Sequence, residues 1–413
     1  MHHARLTAWL AGLTLLLAVP APAQEPRPAP APFAASRAWD SFVTLLRDRY
    51  GYLTRPGIDG ESILATFAAR ARAARTDKDF IDVLQLVAHN FADPHLVVDP
   101  LDADDWAVVP TASDLFGSYD GVRFRIGEVR AGSDAAARGV TAGMTVLRLD
   151  GVSPRRAIEQ VTGRAFADLT PPQVAFAFNV ALAGHRRRAR VLEVAEGRRR
   201  VALPATNTLA DRIEHGPLLD VERRGAMGII RINNSLGDQA LIDRFARALE
   251  TLEGTDALLI DLRDTPSGGN TSVARGIMGH FVDHDRPYQM HVVPYEARVL
   301  GPTRKFVEYV APYGLRYAGR VYVAGGRWTG SMGEGLMIGF AAIGATTVGT
   351  DMAHLLGALS NETIEGSAAQ VDLGTEQLFT VTGLPRELYR PDIYIDRAER
   401  TPTIDPVLSA LGR

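Results

Sequence analysis

Strand-like and helix-like segments alternate from about residue 216 to residue 400. The strand-like segments are the short apolar runs MGIIRI, ALLIDL, RVYVAGG and TTVGT, and helical apolar spacing separates them, as in DQALIDRFARALETL. Parallel strands need crossover connections, which are usually helices, so this order predicts a mainly parallel sheet with helices on both faces. The alternation therefore places this half of the chain in the α/β class.

Two glycine-rich turns follow strands of this predicted sheet directly. They are DLRDTPSGGN, residues 261–270, and GGRWTGSMG, residues 325–333. Because ligands of such folds bind beyond the carboxyl ends of the strands, we expect both turns to open on the same side. The second turn carries Ser331 where a strand hands over to a helix. Backbone N–H groups at that junction would favour a nucleophile there, and the alternative is a serine that only caps the helix.

The region before the core divides into two parts. Residues 36–100 have helical apolar spacing and predict a helical cap, whereas residues 108–206 alternate like strands around a short alanine-rich helix. The second part is similar to a PDZ domain of the bacterial type through Gly132–Ser133–Asp134–Ala135, Gly139, Gly143 and Asp150–Gly151. That resemblance implies binding of peptide C-termini by strand addition. The alternative is a β-rich insert without a ligand.

The N-terminus predicts export. Residues 1–23 combine Arg5, an apolar stretch from Leu6 to Val19 and a small-residue cleavage pattern, which together are typical of a signal peptide. The stretch is too short for a stable membrane span, and residues 24–35 are expected to form a disordered proline- and alanine-rich leader. The chain has no cysteine. We therefore expect a soluble periplasmic or extracellular protein without disulfides.

Charge and composition argue against nucleic acid as a partner. The chain is 46% apolar and its net charge is −3, so nothing in the overall balance favours an anionic polymer. The basic run HRRRARVLEVAEGRRR has alternating apolar residues in its middle, which predicts a pair of strands with arginines facing solvent.

Four separate motifs resemble those of the C-terminal-processing and tricorn-type serine peptidase family. They are an Asp-x-His element, an Asp-Leu-Arg element ending in Gly-Gly, a Thr-x-Ser-x-x-Glu turn and a late Glu…Pro-Asp-Ile element. In this sequence they read Asp93 and His95; Asp261, Leu262, Arg263, Thr265, Gly268 and Gly269; Thr329, Ser331 and Glu334; and Glu387, Pro391, Asp392 and Ile393. The resemblance spans nearly the whole mature chain and implies a core sheet of the ClpP/crotonase-like type.

The resemblance also implies roles for these residues. One branch of the family pairs its serine with a lysine, but the two lysines of this chain, Lys78 and Lys305, both precede Ser331. Likeness to the other branch implies Ser331 as nucleophile, His95 as base and Glu387 as the carboxylate that orients the base. The oxyanion hole would be formed by the backbone N–H of Met332 and one N–H of the Gly268–Gly269 turn.

Several alternatives stay open. His354 and His89 compete with His95 as the base, and Glu387 has Arg386 and Arg390 beside it as ordinary surface ion-pair partners. His280 and His284 lie one helical turn apart, but they lack the glutamate of the metalloprotease helix motif, so no metal or other cofactor is expected.

Departures from the family pattern bear on activity. Pro94 and Leu96 flank His95, and Thr265 replaces the usual asparagine. The sequence thus predicts an exported serine endopeptidase for extended or unfolded polypeptides. The alternatives are a catalytically inactive relative that binds peptides and an esterase that uses the same serine.

Overall fold

The computed structural model describes residues 33–233 and 236–413. The predicted signal peptide, 1–23, and residues 24–32 of the predicted leader, 24–35, lie outside these ranges, and the first helix begins at Ala35. No helix within the described ranges carries an apolar stretch long enough to cross a bilayer. The described chain combines helices with several sheets, which confirms the predicted mixed α/β class.

Amphipathic helices and one small hairpin form the N-terminal part of the described chain. Their bounds are α1 (Ala35–Arg49), β1 (Thr54–Arg55), β2 (Ile58–Asp59), α2 (Gly60–Arg72) and α3 (Asp77–Asn90). Thr76 and Asp79 form a capping box that satisfies free N–H groups at the start of α3. The apolar faces of the helices bury side chains such as Phe42 and Leu84 against Val371 of a distant strand. The helices therefore pack against this strand as well as against each other.

The next part of the chain is rich in short strands. Its elements are β3 (Val97–Asp99), β4 (Leu115–Tyr119), β5 (Phe124–Val129), α4 (Asp134–Ala137), β6 (Val146–Leu149), α5 (Pro154–Thr162), α6 (Pro171–Ala183), β7 (Arg190–Val194), β8 (Arg199–Leu203) and α7 (Asn207–Glu214). Strands β4 and β5 form one antiparallel pair, and β6, β7 and β8 form a three-stranded sheet. A separate cluster of buried side chains, including Ile126, Phe178 and Val194, forms the core of this part.

A six-stranded sheet organises the rest of the chain. Its elements and flanking helices are β9 (Leu219–Arg224), β10 (Met227–Ile232), α8 (Ala240–Thr251), β11 (Ala257–Asp261), α9 (Thr271–Met278), β14 (Arg320–Gly325), α11 (Met332–Ala342), β15 (Thr346–Gly349), β18 (Ile393–Tyr394) and α12 (Pro406–Ala410). The strand order is β18-β15-β14-β11-β10-β9, and every pair is parallel except β9 with β10. Alternate side chains enter separate cores on the two faces, as a sheet covered on both sides requires.

A second, antiparallel sheet lies beside the first. It consists of β12 (Arg286–Val293), β13 (Arg304–Val310), β16 (Ala358–Thr363) and β17 (Gln370–Phe379) in the order β13-β12-β17-β16, and α10 (Pro294–Leu300) connects its first two strands. Strand β3 from the earlier part of the chain also pairs with β17. This pairing brings the segment that follows α3 to the edge of the core.

Strands β11 and β14 are neighbours in the parallel sheet and end at the same edge. The two glycine-rich turns that follow them therefore meet. A Cβ atom on Gly268 would lie only 2.4 Å from Ser331 Oγ. The expectation that both turns open on the same side is confirmed.

Candidate active site

Ser331 occupies the position just before helix α11, where the sequence places a strand-to-helix turn. Its backbone has φ 53° and ψ −117°, a strained conformation for a residue with a side chain. The Ser331 N–H donates to Glu334 Oε2 over 3.0 Å, which helps to hold this conformation. The N-cap position and a catalytic role are compatible, because a hydroxyl has one proton to donate and two lone pairs that accept.

The Gly268–Gly269 turn packs directly against this serine. A Cβ on Gly268 would be 2.7 Å from the Met332 nitrogen, and a Cβ on Gly269 would be 2.1 Å from the backbone of Leu236. Real Cβ atoms do not approach so closely, so only glycine fits at either position. The N–H of Met332 has no acceptor among the described residues. The Met332 N–H next to Ser331 is therefore free to donate to a ligand.

His95 reaches Ser331 from a part of the chain 236 positions away. Its Nε2 lies 3.0 Å from Ser331 Oγ, and its Nδ1 lies 3.0 Å from the carbonyl oxygen of Leu356. A carbonyl oxygen only accepts, so Nδ1 carries the proton and Nε2 is left free to accept one from the serine. Burial lowers the pKa of His95 to about 4, and the positive charge of Arg386 acts in the same direction. The ring is therefore neutral at neutral pH.

Asp93 ties His95 to the carbonyl group that orients it. Its Oδ1 accepts the N–H of His95 at 2.9 Å and that of Leu356 at 3.3 Å, while its Oδ2 accepts the hydroxyl of Tyr50 at 2.7 Å. Burial raises the pKa of Asp93 to about 6, against the effect of these hydrogen bonds. The Asp-x-His spacing in the sequence pointed to this residue, but nothing in the sequence indicated its link to Leu356.

The other predicted candidates have different partners. Within the described residues, the hydrogen bonds of His95 do not include Glu387, whose backbone carbonyl instead accepts from Nδ1 of His354 at 2.7 Å. His354 makes no hydrogen bond with Ser331, and Nδ1 of His89 is 2.9 Å from the carbonyl of Val161. The structure therefore brings together Ser331, His95 and the glycine turn, and it leaves Glu387, His354 and His89 outside that group.

Glu334 joins the loops on either side of the site. Its fully buried carboxylate accepts N–H groups from Ser331, His354 and Leu355 and lies 3.5 Å from Arg386. Burial raises the pKa of Glu334 to about 7, and the charge of Arg386 opposes that rise. This carboxylate holds the segment that supplies the Leu356 carbonyl next to the nucleophile turn.

The Asp-Leu-Arg element has a structural role in this fold. Asp261 and Arg263 are both buried and form hydrogen bonds with each other, and Arg263 also pairs with Asp405 at 2.9 Å. Burial alone would raise the pKa of Asp261, but the charge of Arg263 holds it below its usual range. Thr265 donates to the carbonyl of Ile232 at 2.9 Å. These contacts hold the first glycine-rich turn at the end of β11.

Ser331 and His95 line a cleft of about 530 Å³. Its lining includes Ser331, His95, the glycine turn, and Gln289 and His291 of β12, and the sequence did not single out the last two. No group of three or more histidine and carboxylate side chains spaced to hold a metal occurs within residues 33–233 and 236–413.

Comparison with known proteins supports this fold assignment. No protein-family model matches the chain, and no curated protein matches it in sequence. Solved structures do resemble it. A photosystem II D1 C-terminal processing protease superposes with a TM-score of 0.56 at 14% identity, covering 88% of this chain and 93% of that one. Mature CPAF superposes with a TM-score of 0.58, also at 14% identity, covering 89% and 93% respectively. At these identities the likeness shows a shared fold.

Proposed function

We propose that this protein is an exported serine endopeptidase that cleaves extended or unfolded polypeptides, with Ser331 as nucleophile and His95 as base. The observation that carries the proposal is the 3.0 Å separation of His95 Nε2 from Ser331 Oγ beside a turn where only glycine fits. The fold shared with a C-terminal processing protease adds to it, as does the cleft, which is large enough for an extended chain.

The reaction follows from the positions of these groups. Ser331 Oγ attacks the peptide carbonyl carbon while its proton passes to His95 Nε2, and the carbonyl electron pair moves onto the oxygen. Met332 N–H and the glycine turn stabilise that oxyanion, each donor contributing on the order of 3 kcal/mol. Collapse of the intermediate expels the amine, which takes the proton from His95. Water then repeats the same steps and releases the acyl group.

In this proposal the Leu356 carbonyl orients the imidazole in place of the Glu387 carboxylate. A neutral carbonyl fixes the tautomer as a carboxylate would, but it stabilises the protonated ring less. Together with burial near Arg386, this makes His95 a weak base. We therefore expect slow acylation compared with a serine site whose histidine faces a carboxylate.

Residues 108–206 are proposed to act as a PDZ-like module that presents the substrate. Strand addition at β4 would use the backbone of Gly117, whose N–H and carbonyl already bond the Asn179 side chain of α6 at 2.8 and 3.1 Å. A peptide C-terminus that binds there has to displace Asn179 first.

Covalent labelling of Ser331 tests the central proposal. A fluorophosphonate should label the wild-type chain, fail to label Ser331→Ala, and label His95→Ala about 10² to 10⁴ times more slowly. His354→Ala is the matched control, because it removes an imidazole from the same neighbourhood without touching the serine, and it should label within about threefold of wild type.

Hydrolysis of an unfolded polypeptide such as carboxymethylated casein separates the alternatives. Labelling accompanied by cleavage of casein supports the peptidase. Labelling with cleavage of simple esters alone would favour the esterase, and peptide binding without labelling would favour the inactive binder. If His354→Ala abolishes labelling and His95→Ala does not, the proposed base is wrong.

A further inference from the structure

A buried guanidinium group in the lining of the cleft has no part in the reaction steps described above. Arg386 begins a single turn of 3₁₀ helix, Arg386–Leu388, and its side chain is only 3% exposed. It lines the cleft together with Ser331 and His95. A buried charge is costly unless it is paired and hydrogen-bonded, so a cationic side chain in this place needs a structural or chemical reason.

Arg386 donates to two main-chain carbonyl groups. Its Nη2 lies 2.6 Å from the carbonyl oxygen of Leu355 and 3.4 Å from that of Gly357. The carbonyl between these two belongs to Leu356, and it accepts the Nδ1 proton of His95 at 3.0 Å. The guanidinium group therefore bonds the residues on either side of the one that orients the base.

Two carboxylates hold the same segment by its N–H groups. Leu355 N–H donates to Glu334 Oε2 at 3.2 Å, and Leu356 N–H donates to Asp93 Oδ1 at 3.3 Å. Glu334 also lies 3.5 Å from Arg386 and, when it is ionised, balances the positive charge. Because charged groups bond both the N–H and the carbonyl side of this segment, the peptide groups of Leu356 have little freedom to rotate.

We propose that Arg386 is a positioning residue for the base: its guanidinium group holds the backbone around Leu356 so that the Leu356 carbonyl stays in line with Nδ1 of His95. This contact keeps the proton on Nδ1 and leaves Nε2 to accept the proton of the Ser331 hydroxyl. The inference rests on the proposed function. It assigns to Arg386, acting through a backbone carbonyl, the orienting task that the family resemblance had implied for Glu387.

The charge of Arg386 affects the base in the opposite sense. It lowers the pKa of His95, adding to the larger effect of burial. Removal of the charge alone would make the ring a stronger base, and the serine proton would be transferred faster. Loss of positioning would slow the same transfer. The direction in which the rate changes therefore separates a positioning role from a purely electrostatic one.

Substitution of Arg386 by methionine tests the inference in the full chain, with two measurements at pH 8. The ¹⁵N chemical shifts of the His95 ring, assigned by comparison with His95→Gln, report which ring nitrogen carries the proton. Wild type should show the Nδ1–H tautomer, and Arg386→Met should show a mixture of both tautomers. The second-order rate of fluorophosphonate labelling should fall at least about tenfold in Arg386→Met, because a misoriented base no longer faces the serine proton.

Arg390→Met is the matched control. Arg390 lies just after the same helical turn, its side chain is 70% exposed, and it pairs with Asp351 at 3.5 Å. The variant removes a guanidinium group without touching residues 355–357, so its tautomer and its labelling rate should equal those of wild type. Arg386→Lys keeps the charge and a donor that can reach a carbonyl, so it should keep the Nδ1–H tautomer and label within about threefold of wild type.

A double variant keeps the test independent of a folding defect. Arg386→Met leaves the Glu334 carboxylate buried beside an apolar side chain. Combination with Glu334→Gln removes both charges and still offers an acceptor oxygen to the N–H groups. The double variant should fold and show the same mixture of tautomers.

An Arg386→Met chain that keeps the Nδ1–H tautomer would overturn the inference, whatever its labelling rate. Faster labelling would overturn it as well, because a purely electrostatic role predicts that result. Absence of labelling in the wild-type chain would overturn the proposed function. The tautomer measurement needs no activity, so it would still decide whether Arg386 holds the contact between Leu356 and His95.

Discussion

Ser331 should keep most of its reactivity towards a fluorophosphonate when the pH falls from 8 to 5. The reaction needs His95 in its neutral form, and burial near Arg386 lowers the pKa of that ring to about 4. At pH 5 a histidine with this pKa is about 90% neutral, whereas one with an ordinary pKa of about 6.5 is only about 3% neutral. The two cases differ about 30-fold in the expected labelling rate.

The same burial makes the fold sensitive to acid. The folded chain keeps His95 neutral, while the unfolded chain protonates it below about pH 6.5, so the unfolded state binds more protons and stability falls as the pH drops. From this ring alone, the free energy of unfolding should decrease by about 2 kcal/mol between pH 7 and pH 5. Labelling must therefore be measured well below the melting temperature found at each pH.

The assay is the second-order rate of labelling of the wild-type chain from pH 3.5 to 8, with a companion variant, Asp93→Asn. Asp93 has a pKa raised to about 6 and supports both His95 and Leu356, so any loss of rate near pH 6 in the wild type would report protonation of Asp93 and not of His95. Asparagine keeps an acceptor oxygen for the two N–H groups but does not titrate. If the labelling rate falls near pH 6 in the wild type but not in the variant, protonation of Asp93 is the cause.

A rate that halves near pH 6.5 in both proteins would refute the reasoning. It would mean that the imidazole titrates as a solvated histidine does, and that neither burial nor Arg386 acts on it as the structure indicates. We expect the labelling rate of Asp93→Asn to stay constant down to pH 5 and to fall near pH 4.

Three further outcomes follow from the contacts. Glu387→Gln should label at a rate within about twofold of wild type, because no hydrogen bond joins this carboxylate to His95 among the described residues. A loss of labelling rate above tenfold would restore Glu387 to the catalytic group. Gly268→Ala should slow labelling at least about 100-fold, since its Cβ would lie 2.4 Å from Ser331 Oγ, and an unchanged rate would contradict the packing of the turn. Asn179→Ala should bind fluorescent peptides with free C-termini more tightly, as fluorescence anisotropy would show, because the backbone of Gly117 is released; unchanged affinity would remove strand addition at β4 from the proposal.

The sequence alone predicted the parts of the molecule that local pattern controls. Apolar periodicity indicated the alternating strands and helices of the core. The placement of two glycine-rich turns after strands predicted their meeting at one edge, which the contact between Gly268 and Ser331 confirms. These features are readable because each depends on side-chain character repeated within a few residues, or on the rule that neighbouring parallel strands end together.

The partners of the base were decided only by the tertiary structure. His95 Nδ1 bonds the carbonyl of Leu356, 261 positions away, whereas the family resemblance had implied Glu387. Every residue carries a backbone carbonyl. A hydrogen bond to a carbonyl therefore requires no particular residue type at that position, and the sequence does not indicate it.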